Sequence, residues 1–284
     1  MKYDTGGFLD QTLARYRGAM KIIGELGIKI PQQSRLLRYE KRWAAILRQP
    51  GELLRLPETD ATQIMFEFRE MDELSVIAES LPSSLNSQEV DRLQLIVGGN
   101  LNPDEDQDTR ARNAQFELFL RAAFVRAGAD VTLGSPDLMV RFNDVEFPVE
   151  AKRPGSEGAF EDRLHEGANQ IHKLNRFGVV ALSVDQIIRP KGGFLLLKST
   201  SDLAPAATAH MRDFMRKKLR VMARRIRGKR VAATLLVVRL PGRTEDQNLT
   251  LLGTVFMPQA AARPGKPEYL IYEAIERLAT RMDV

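Results

Sequence analysis

The spacing of apolar residues along the first hundred positions is that of α-helices. Apolar side chains recur at intervals of three and four in four stretches: residues 8–23, 36–47, 65–78 and 90–97. Gly27 and Pro82 follow the first and third stretches, where helices commonly end. Asn86 and Glu89 have the spacing of a capping box before the fourth stretch. The pattern predicts an N-terminal all-helical domain.

A stretch rich in glycine, asparagine and acidic residues, 98–106, follows these helices and predicts a boundary between domains at 1–105 and 106–284. Beyond it, helical and strand periodicities alternate. Helices are predicted over residues 109–126, 157–176, 203–227 and 267–281. A hairpin is predicted over 137–152, and strands over 179–184, 231–240 and 249–257. This mixture predicts an α/β fold for the second domain.

The predicted hairpin has a two-residue turn at Asn143 and Asp144, since both residue types tolerate the left-handed backbone of such turns. Counting outward from the turn places Asp137 opposite Glu150. One face then receives only apolar side chains: Leu138, Val140, Phe142, Val145, Phe147, Val149 and Ala151. The other face receives Asp137, Met139, Arg141, Glu146, Pro148, Glu150 and Lys152. Arg141 faces Glu146, which predicts a cross-strand ion pair.

Two carboxylates that stand opposite one another repel, and the pair formed by Asp137 and Glu150 therefore requires compensation. A hard divalent cation such as Mg²⁺ binds through one or two carboxylates while it keeps waters and phosphate oxygens. Lys152 lies two residues beyond Glu150 and so points to the same face. There it can neutralise part of the site and stabilise charge that develops on a phosphate.

The residues Pro136-Asp137 and Glu150-Ala151-Lys152 resemble the motif of the PD-(D/E)xK nuclease superfamily. The resemblance covers about residues 108–190 and implies a three-layer, restriction-endonuclease-like core with a mixed β-sheet. It also implies a metal-dependent hydrolase, with DNA endonuclease activity as the first expectation. Asp137, Glu150 and the main-chain carbonyl of Ala151 would hold Mg²⁺ or Mn²⁺, and Lys152 would position or activate the attacking water.

The resemblance extends to the two helices on either side of the hairpin. In many relatives a glutamate on the preceding helix completes the metal site, and Glu117 occupies that place here. Some relatives carry a polar residue on the following helix, and Gln170 is the match. Arg153 directly follows the motif, and we expect Arg153 and Gln170 to contact nucleic acid.

The charge of the chain is unevenly distributed, although its net value is only +5. Residues 1–55 hold 11 lysines and arginines against 5 acids, a balance of +6, whereas residues 56–108 hold 2 against 13, a balance of −11. Residues 210–230 hold 10 against 1, a balance of +9. Such a distribution can steer a polyanion toward one surface.

The predicted helix over 203–227 combines this positive charge with an apolar stripe of Met211, Phe214, Met215, Leu219, Met222 and Ile226. The stripe is expected to pack against the core. The charged side chains are expected to bind a nucleic-acid backbone, DNA rather than RNA: Arg216, Lys217, Arg220, Arg224 and Arg227. A homodimer is compatible with the sequence but has no specific signal.

Composition excludes several other classes of function. The 284 residues include no cysteine, which rules out disulfides and thiolate metal sites. No apolar run reaches the roughly 20 residues of a membrane helix, and no signal pattern opens the chain, so a cytoplasmic protein without a membrane partner is expected. Nucleotide-binding glycine motifs are also missing. His165 and His172 lack a third zinc ligand, and Asp185 reads as an ordinary loop acid.

Two other functions stay open on the sequence alone. The first is a non-catalytic nucleic-acid-binding module on the same fold. The second is an effector or regulatory protein whose helical N-terminal domain recognises a protein partner.

Overall fold

The computed structural model describes residues 6–48, 58–82, 84–102, 106, 108–190, 193–244 and 250–282. This part of the chain contains eight α-helices: α1 Gly6–Glu25, α2 Arg35–Arg48, α3 Glu58–Glu79, α4 Ser87–Ile96, α5 Arg110–Arg126, α6 Glu157–Lys173, α7 Leu203–Ile226 and α8 Tyr269–Ala279. It contains seven β-strands: β1 Asp130–Leu133, β2 Leu138–Phe142, β3 Val145–Lys152, β4 Gly178–Ser183, β5 Leu195–Leu197, β6 Val231–Thr244 and β7 Thr250–Ala260. The predicted α/β class is confirmed.

The helices predicted from periodicity are present, with ends that differ by only a few residues for most of them. Asn86 caps α4, and the capping box with Glu89 is complete in both directions. Gly27 follows α1 and Gly128 follows α5, both with positive φ, as glycines at helix ends often have. Sequence periodicity missed β1 and β5, which have only four and three residues. Residues 103–105 of the predicted boundary and residue 249 of a predicted strand lie outside the described residues.

The strands form one mixed sheet in the order β1-β2-β3-β4-β6-β5, and β7 also pairs with β6. β1 with β2 and β2 with β3 are antiparallel pairs, whereas β3 with β4, β4 with β6 and β5 with β6 are parallel pairs. Antiparallel strands therefore supply one side of the sheet, and the parallel pairs require crossover connections. β3 lies between the two kinds of pairing, which places the candidate motif inside the sheet rather than at its edge.

Helices cover both faces of β3. α6 lies over the face that carries Pro148 and Lys152: a side chain added at Gly167 of α6 would be 3.7 Å from Lys152 Cγ. On the opposite face, α8 contacts β3, and the Arg281 guanidinium, which follows α8, lies 5.3 Å from the ring centroid of Phe142 on the neighbouring strand β2. Residues 147–152 are consequently all buried. The sheet thus has helical layers on both sides at this strand.

The chain divides into two compact units. The first comprises residues 1–115, 189–207 and 239–253, and the second comprises residues 116–188, 208–238 and 254–284. Every residue of the candidate site belongs to the second unit. The division into folding domains at residues 105 and 106 stays a prediction, since compact units are defined by packing and not by independent folding. In the described residues, no helix is both long and apolar enough to cross a bilayer.

Buried ion pairs organise the helices of the first unit. Glu70 of α3 contacts Arg35 of α2 and Arg112 of α5, and all three side chains are almost fully buried. Arg35 also donates to the carbonyl oxygen of Gly98 at 2.8 Å, and Arg112 donates to that of Asn100 at 2.7 Å. The segment after α4, predicted to be a boundary, is therefore held by buried arginines from two helices.

Candidate active site

The predicted hairpin turn and its register are confirmed. Asn143 has φ of 52°, the left-handed conformation that the turn requires. Phe142 pairs with Val145, and the ladder extends to Leu138 opposite Val149. The predicted ion pair between Arg141 and Glu146 is wrong. Arg141 binds Asp130 of β1 at 3.0 Å, and Glu146 binds Arg176 at 2.9 Å, because each exposed side chain reaches an oppositely charged neighbour beyond the hairpin.

Asp137 and Glu150 meet where β2 begins, one position beyond the last pair of the ladder. The main-chain N–H of Ala151 donates to Asp137 Oδ2 at 2.9 Å, which orients that carboxylate toward β3. Lys152 Nζ lies 3.2 Å from Glu150 Oε2 and 3.7 Å from Asp137 Oδ2. One cationic group thus contacts both carboxyl groups. The three side chains predicted to carry the chemistry form a single cluster.

Burial changes the acid–base properties of this cluster. Desolvation, followed by the charge of Asp137, raises the pKa of Glu150 to about 8, and Lys152 opposes this only in part. A hydrogen bond with Asp137 also raises the pKa of Glu150. Burial alone would lower the pKa of Lys152, but Asp137 and Glu150 outweigh it and raise that pKa. Lys152 therefore stays an ammonium group although it is 8% exposed.

Gly167 explains how α6 can approach so closely. A Cβ at this position would lie 2.8 Å from Val180 Cγ1 of β4, and the aliphatic part of Lys152 passes beside it. Any larger residue would push the helix away from β3 and β4. Glu166, its neighbour, adds to the rise in the pKa of Lys152. The sequence analysis missed both residues, although an isolated glycine inside a helical pattern is a recognisable signal of close packing.

Glu117 lies on α5 and is 7% exposed. Within the described ranges, no three or more histidine, aspartate or glutamate side chains are placed so as to hold a metal ion, and cysteine does not occur. The structure does not bring Glu117 into such a group with Asp137 and Glu150. Its role in a metal site, like that of the Ala151 carbonyl, stays a prediction.

Arg153 lies inside the protein rather than at its surface. Its guanidinium is 3.6 Å from Asp185 Oδ2, and its Nε donates to Ser183 Oγ at 3.3 Å. The same group stacks over the ring of Phe116 at 5.4 Å. Asp185 lies in the turn after β4, as predicted, but it is 2% exposed rather than solvated. Side chains of the same chain contact the Arg153 guanidinium in this arrangement, and its contact with nucleic acid stays a prediction.

Gln170 and His165 both lie on α6 and are partly exposed. Gln170 Oε1 and His165 Nδ1 are buried atoms with no hydrogen-bond partner among the described residues. The contact of Gln170 with nucleic acid stays a prediction.

The basic helix predicted over 203–227 is α7, and three of the six residues of its apolar stripe are buried. Met211 and Met222 are inaccessible or nearly so, and Phe214 packs edge-on against Phe160 of α6 at 5.3 Å. Met215 and Ile226 are partly exposed and Leu219 is 46% exposed, so the predicted burial of the whole stripe is wrong at these positions. Most of the basic residues of α7 are exposed, including all five that were predicted to bind nucleic acid.

Comparison with known proteins adds no assignment to this geometry. The chain matches no protein-family model, and no curated protein is significantly similar to it.

Proposed function

We propose that the cluster of Asp137, Glu150 and Lys152 hydrolyses phosphodiester bonds of nucleic acid, DNA in the first instance, with a divalent metal ion. One observation carries the proposal: the buried carboxyl group of Glu150 contacts the half-buried carboxyl group of Asp137, and the Lys152 ammonium lies within 4 Å of both. Folding alone gains little from such an arrangement, because paired carboxyls repel and burial penalises charge. Buried pairs of like-charged groups with shifted pKa values occur most often at catalytic sites.

The donor set is suited to a hard cation. Lys152 Nζ already contacts both carboxyl groups, which supports the ability of Asp137 and Glu150 to bind one positive centre together. Mg²⁺ is commonly held by one or two carboxylates, with waters and substrate phosphates as its other ligands. Asp137, Glu150 and the carbonyl of Ala151 would hold Mg²⁺ or Mn²⁺. When bound, the ion would polarise a phosphate oxygen and lower the pKa of an attacking water.

The chain's own residues prepare the site for that chemistry. The N–H of Ala151 orients Asp137, and a hydrogen bond joins Asp137 to Glu150. The raised pKa of Lys152 keeps its ammonium charged at neutral pH. This group would donate a hydrogen bond to the phosphate as negative charge develops there, or to the attacking water. α6 excludes bulk solvent, which strengthens each of these interactions.

One rival function has an observation in its favour. Lys152 neutralises the two carboxyl groups without any metal, so the cluster can persist as a structural ion pair in a nucleic-acid-binding module. Such a module would bind nucleic acid and leave it intact at any metal concentration.

Cleavage assays separate these functions. Supercoiled plasmid, linear duplex DNA and single-stranded RNA are incubated with Mg²⁺, Mn²⁺ or EDTA. We expect metal-dependent cleavage by the wild-type protein and a loss of at least about 100-fold for Asp137→Asn and for Lys152→Met, because each removes a charge at the reacting centre. Asp130→Asn is the matched control, since it removes an exposed carboxylate from the adjacent strand.

Retained cleavage in Asp137→Asn at the wild-type rate would end the proposal. Calorimetric titration with Mn²⁺ tests the site independently of activity. Asp137→Asn should bind the ion far more weakly, whereas Asp130→Asn should bind it as the wild type does.

A further inference from the structure

Four arginines form one row along the exposed face of α7: Arg212, Arg216, Arg220 and Arg224. Their spacing of four residues keeps neighbouring side chains on the same side of the helix, and Arg227 is exposed in the turn that follows it. With a rise of about 1.5 Å per residue the helical part of the row is about 18 Å long, with neighbours about 6 Å apart. Lys217 lies beside it and is also exposed. The sequence shows only that this segment is rich in basic residues. The structure shows that they are aligned and that Arg212 belongs to the row.

Packing of the helix fixes this row toward solvent. Met211, Phe214 and Met222 occupy the opposite side and are buried, and Phe214 contacts Phe160 of α6. The side chain of Lys218 is turned inward and pairs with Glu157 of α6 at 2.6 Å. Rotation of α7 about its axis would break these contacts. The arginines are therefore presented in a fixed orientation without a bound partner.

Acidic residues of the protein occupy only part of the row. Asp213 pairs with Arg216 at 2.6 Å, and Glu161 of α6 pairs with Arg224 at 3.1 Å and with Arg225 at 3.0 Å. Arg212, Arg220 and Arg227 form no ion pair with any residue that the structure describes. The existing pairs are exposed and hence weak, so a polyanion can displace them.

The chemistry of the row favours one class of partner. Arginine binds phosphate through two parallel N–H donors, so a ladder of arginines suits a repeating phosphodiester chain better than isolated charges do. An anionic membrane would require apolar side chains beside the charged ones, as in interfacial helices. Here the apolar side of α7 is buried, and beside the row only Leu219 is a large apolar residue with substantial exposure in the described part of α7.

We propose that the arginine row of α7 binds the phosphate backbone of duplex nucleic acid without reading base sequence, and that Glu161 and Asp213 limit its affinity. Phosphate contacts orient a protein on its duplex and carry no sequence information themselves. The inference relies on the proposed function only for the view that the bound polymer is also the substrate. Binding itself requires neither the carboxyl cluster nor a metal ion.

Binding is measured by fluorescence anisotropy with a labelled 30-base-pair duplex in EDTA, over a series of salt concentrations. Each phosphate that a protein neutralises contributes about −0.9 to the slope of log K against log salt. Substitution of Arg212, Arg220 and Arg227 by alanine should weaken binding at least tenfold for every duplex sequence and reduce the slope by about 2 to 3. Alanine is the best helix former, so α7 should stay folded, which circular dichroism verifies.

The matched control replaces three other exposed arginines, Arg17, Arg110 and Arg141, and so changes the net charge equally. It should retain most of the affinity and slope. An effect equal to that of the α7 variant would show that only net charge matters and would overturn the proposal. So would the absence of duplex binding by the wild-type protein at low salt, or tighter binding to vesicles containing phosphatidylserine than to the duplex.

A variant with the opposite expected sign completes the test. Glu161→Gln releases Arg224 and Arg225, so it should tighten duplex binding several-fold and steepen the salt slope. Weaker binding in this variant would contradict the proposal.

Duplex binding in EDTA is measured independently of cleavage, so the two proposals can fail separately. If the wild-type protein binds the duplex but does not cleave it, the proposed hydrolysis is rejected and the proposal for the arginine row is retained. If the triple arginine variant keeps both its duplex affinity and its cleavage activity, the proposal for the arginine row is rejected and the proposed hydrolysis is retained.

Discussion

Glu150 shows what burial does to a single residue of the site. It is 4% exposed, next to a second carboxyl group, and its pKa of about 8 lies well above the 4.5 of an isolated glutamate. Between these two pH values the folded protein holds a proton that the unfolded chain has released. The stabilisation from this proton is complete below about pH 4.5 and is lost as the pH rises to about 8.

Replacement of Glu150 by glutamine should remove this pH dependence, because an amide does not titrate. The free energy of unfolding of the wild type should fall between pH 5 and pH 8 relative to that of Glu150→Gln, by up to about 1.4 kcal/mol per pH unit. Urea denaturation in metal-free buffer at pH 5, 6, 7 and 8 measures the difference. Glu146→Gln, at an exposed position of the same strand, is the control. Parallel pH profiles for the wild type and Glu150→Gln would contradict the raised pKa.

At the scale of elements, glycines determine how closely the layers of the second unit pack. Gly178 begins β4, and a Cβ there would lie 2.6 Å from the carbonyl oxygen of Pro148 and 2.9 Å from Ile171 of α6. These contacts join β4 to the strand that carries the site and to the helix that covers it. Backbone oxygen cannot move aside as the end of a flexible side chain can.

Gly178→Ala should therefore destabilise the protein by about 1–3 kcal/mol, the usual cost of overpacking. Gly18→Ala is the informative counterpart, because a Cβ at Gly18 within α1 meets nothing within 4 Å. That variant should be more stable by up to about 1 kcal/mol, since alanine replaces glycine inside a helix. Chemical denaturation of both variants measures these opposite effects, and equal stability of the two would refute the packing argument.

At the scale of the whole chain, folding removes much of the charge asymmetry seen along the sequence. Basic residues of 1–55 pair with acidic residues of 56–108 within the first unit: Arg15 with Asp72 and Glu79, Arg35 with Glu70, and Arg42 with Glu67. These two blocks of opposite charge are thus partners of one another. The basic block at 210–230 has fewer acidic residues to pair with and keeps most of its arginines exposed, so it is the one that offers charge to a ligand.

The buried part of that pairing makes a strong prediction about stability. Glu70 accepts hydrogen bonds from Tyr39 at 2.8 Å and from Arg112 at 2.8 Å and also contacts Arg35. Glu70→Ala leaves the buried guanidinium of Arg35 without its carboxylate and leaves Arg112 with Asp106 as its remaining carboxylate, which should cost about 3–5 kcal/mol. Glu25→Ala breaks an exposed pair with Lys21 and should change stability by less than about 0.5 kcal/mol. Urea denaturation compares them, and similar costs would contradict the role of burial.

The sequence alone determined what depends on neighbours in the chain. Helices α1 to α8 follow from periodicity and end signals, and the hairpin register follows from the turn at Asn143 and from the alternation of side chains. The same counting brought Asp137, Glu150 and Lys152 to one cluster. These features are local, because a turn and a period of two or 3.6 residues decide them.

Only the tertiary structure decided what surrounds these elements. β4 and α6, which are separate in sequence from the hairpin, bury Glu150 and Lys152 and so change their pKa values. Arg153 meets Asp185, and Arg35 meets Glu70, across intervals that no periodic pattern encodes. Which charges neutralise each other, and which remain for a ligand, depends on distance in space, and electrostatic energy follows that distance and the local dielectric rather than position along the chain.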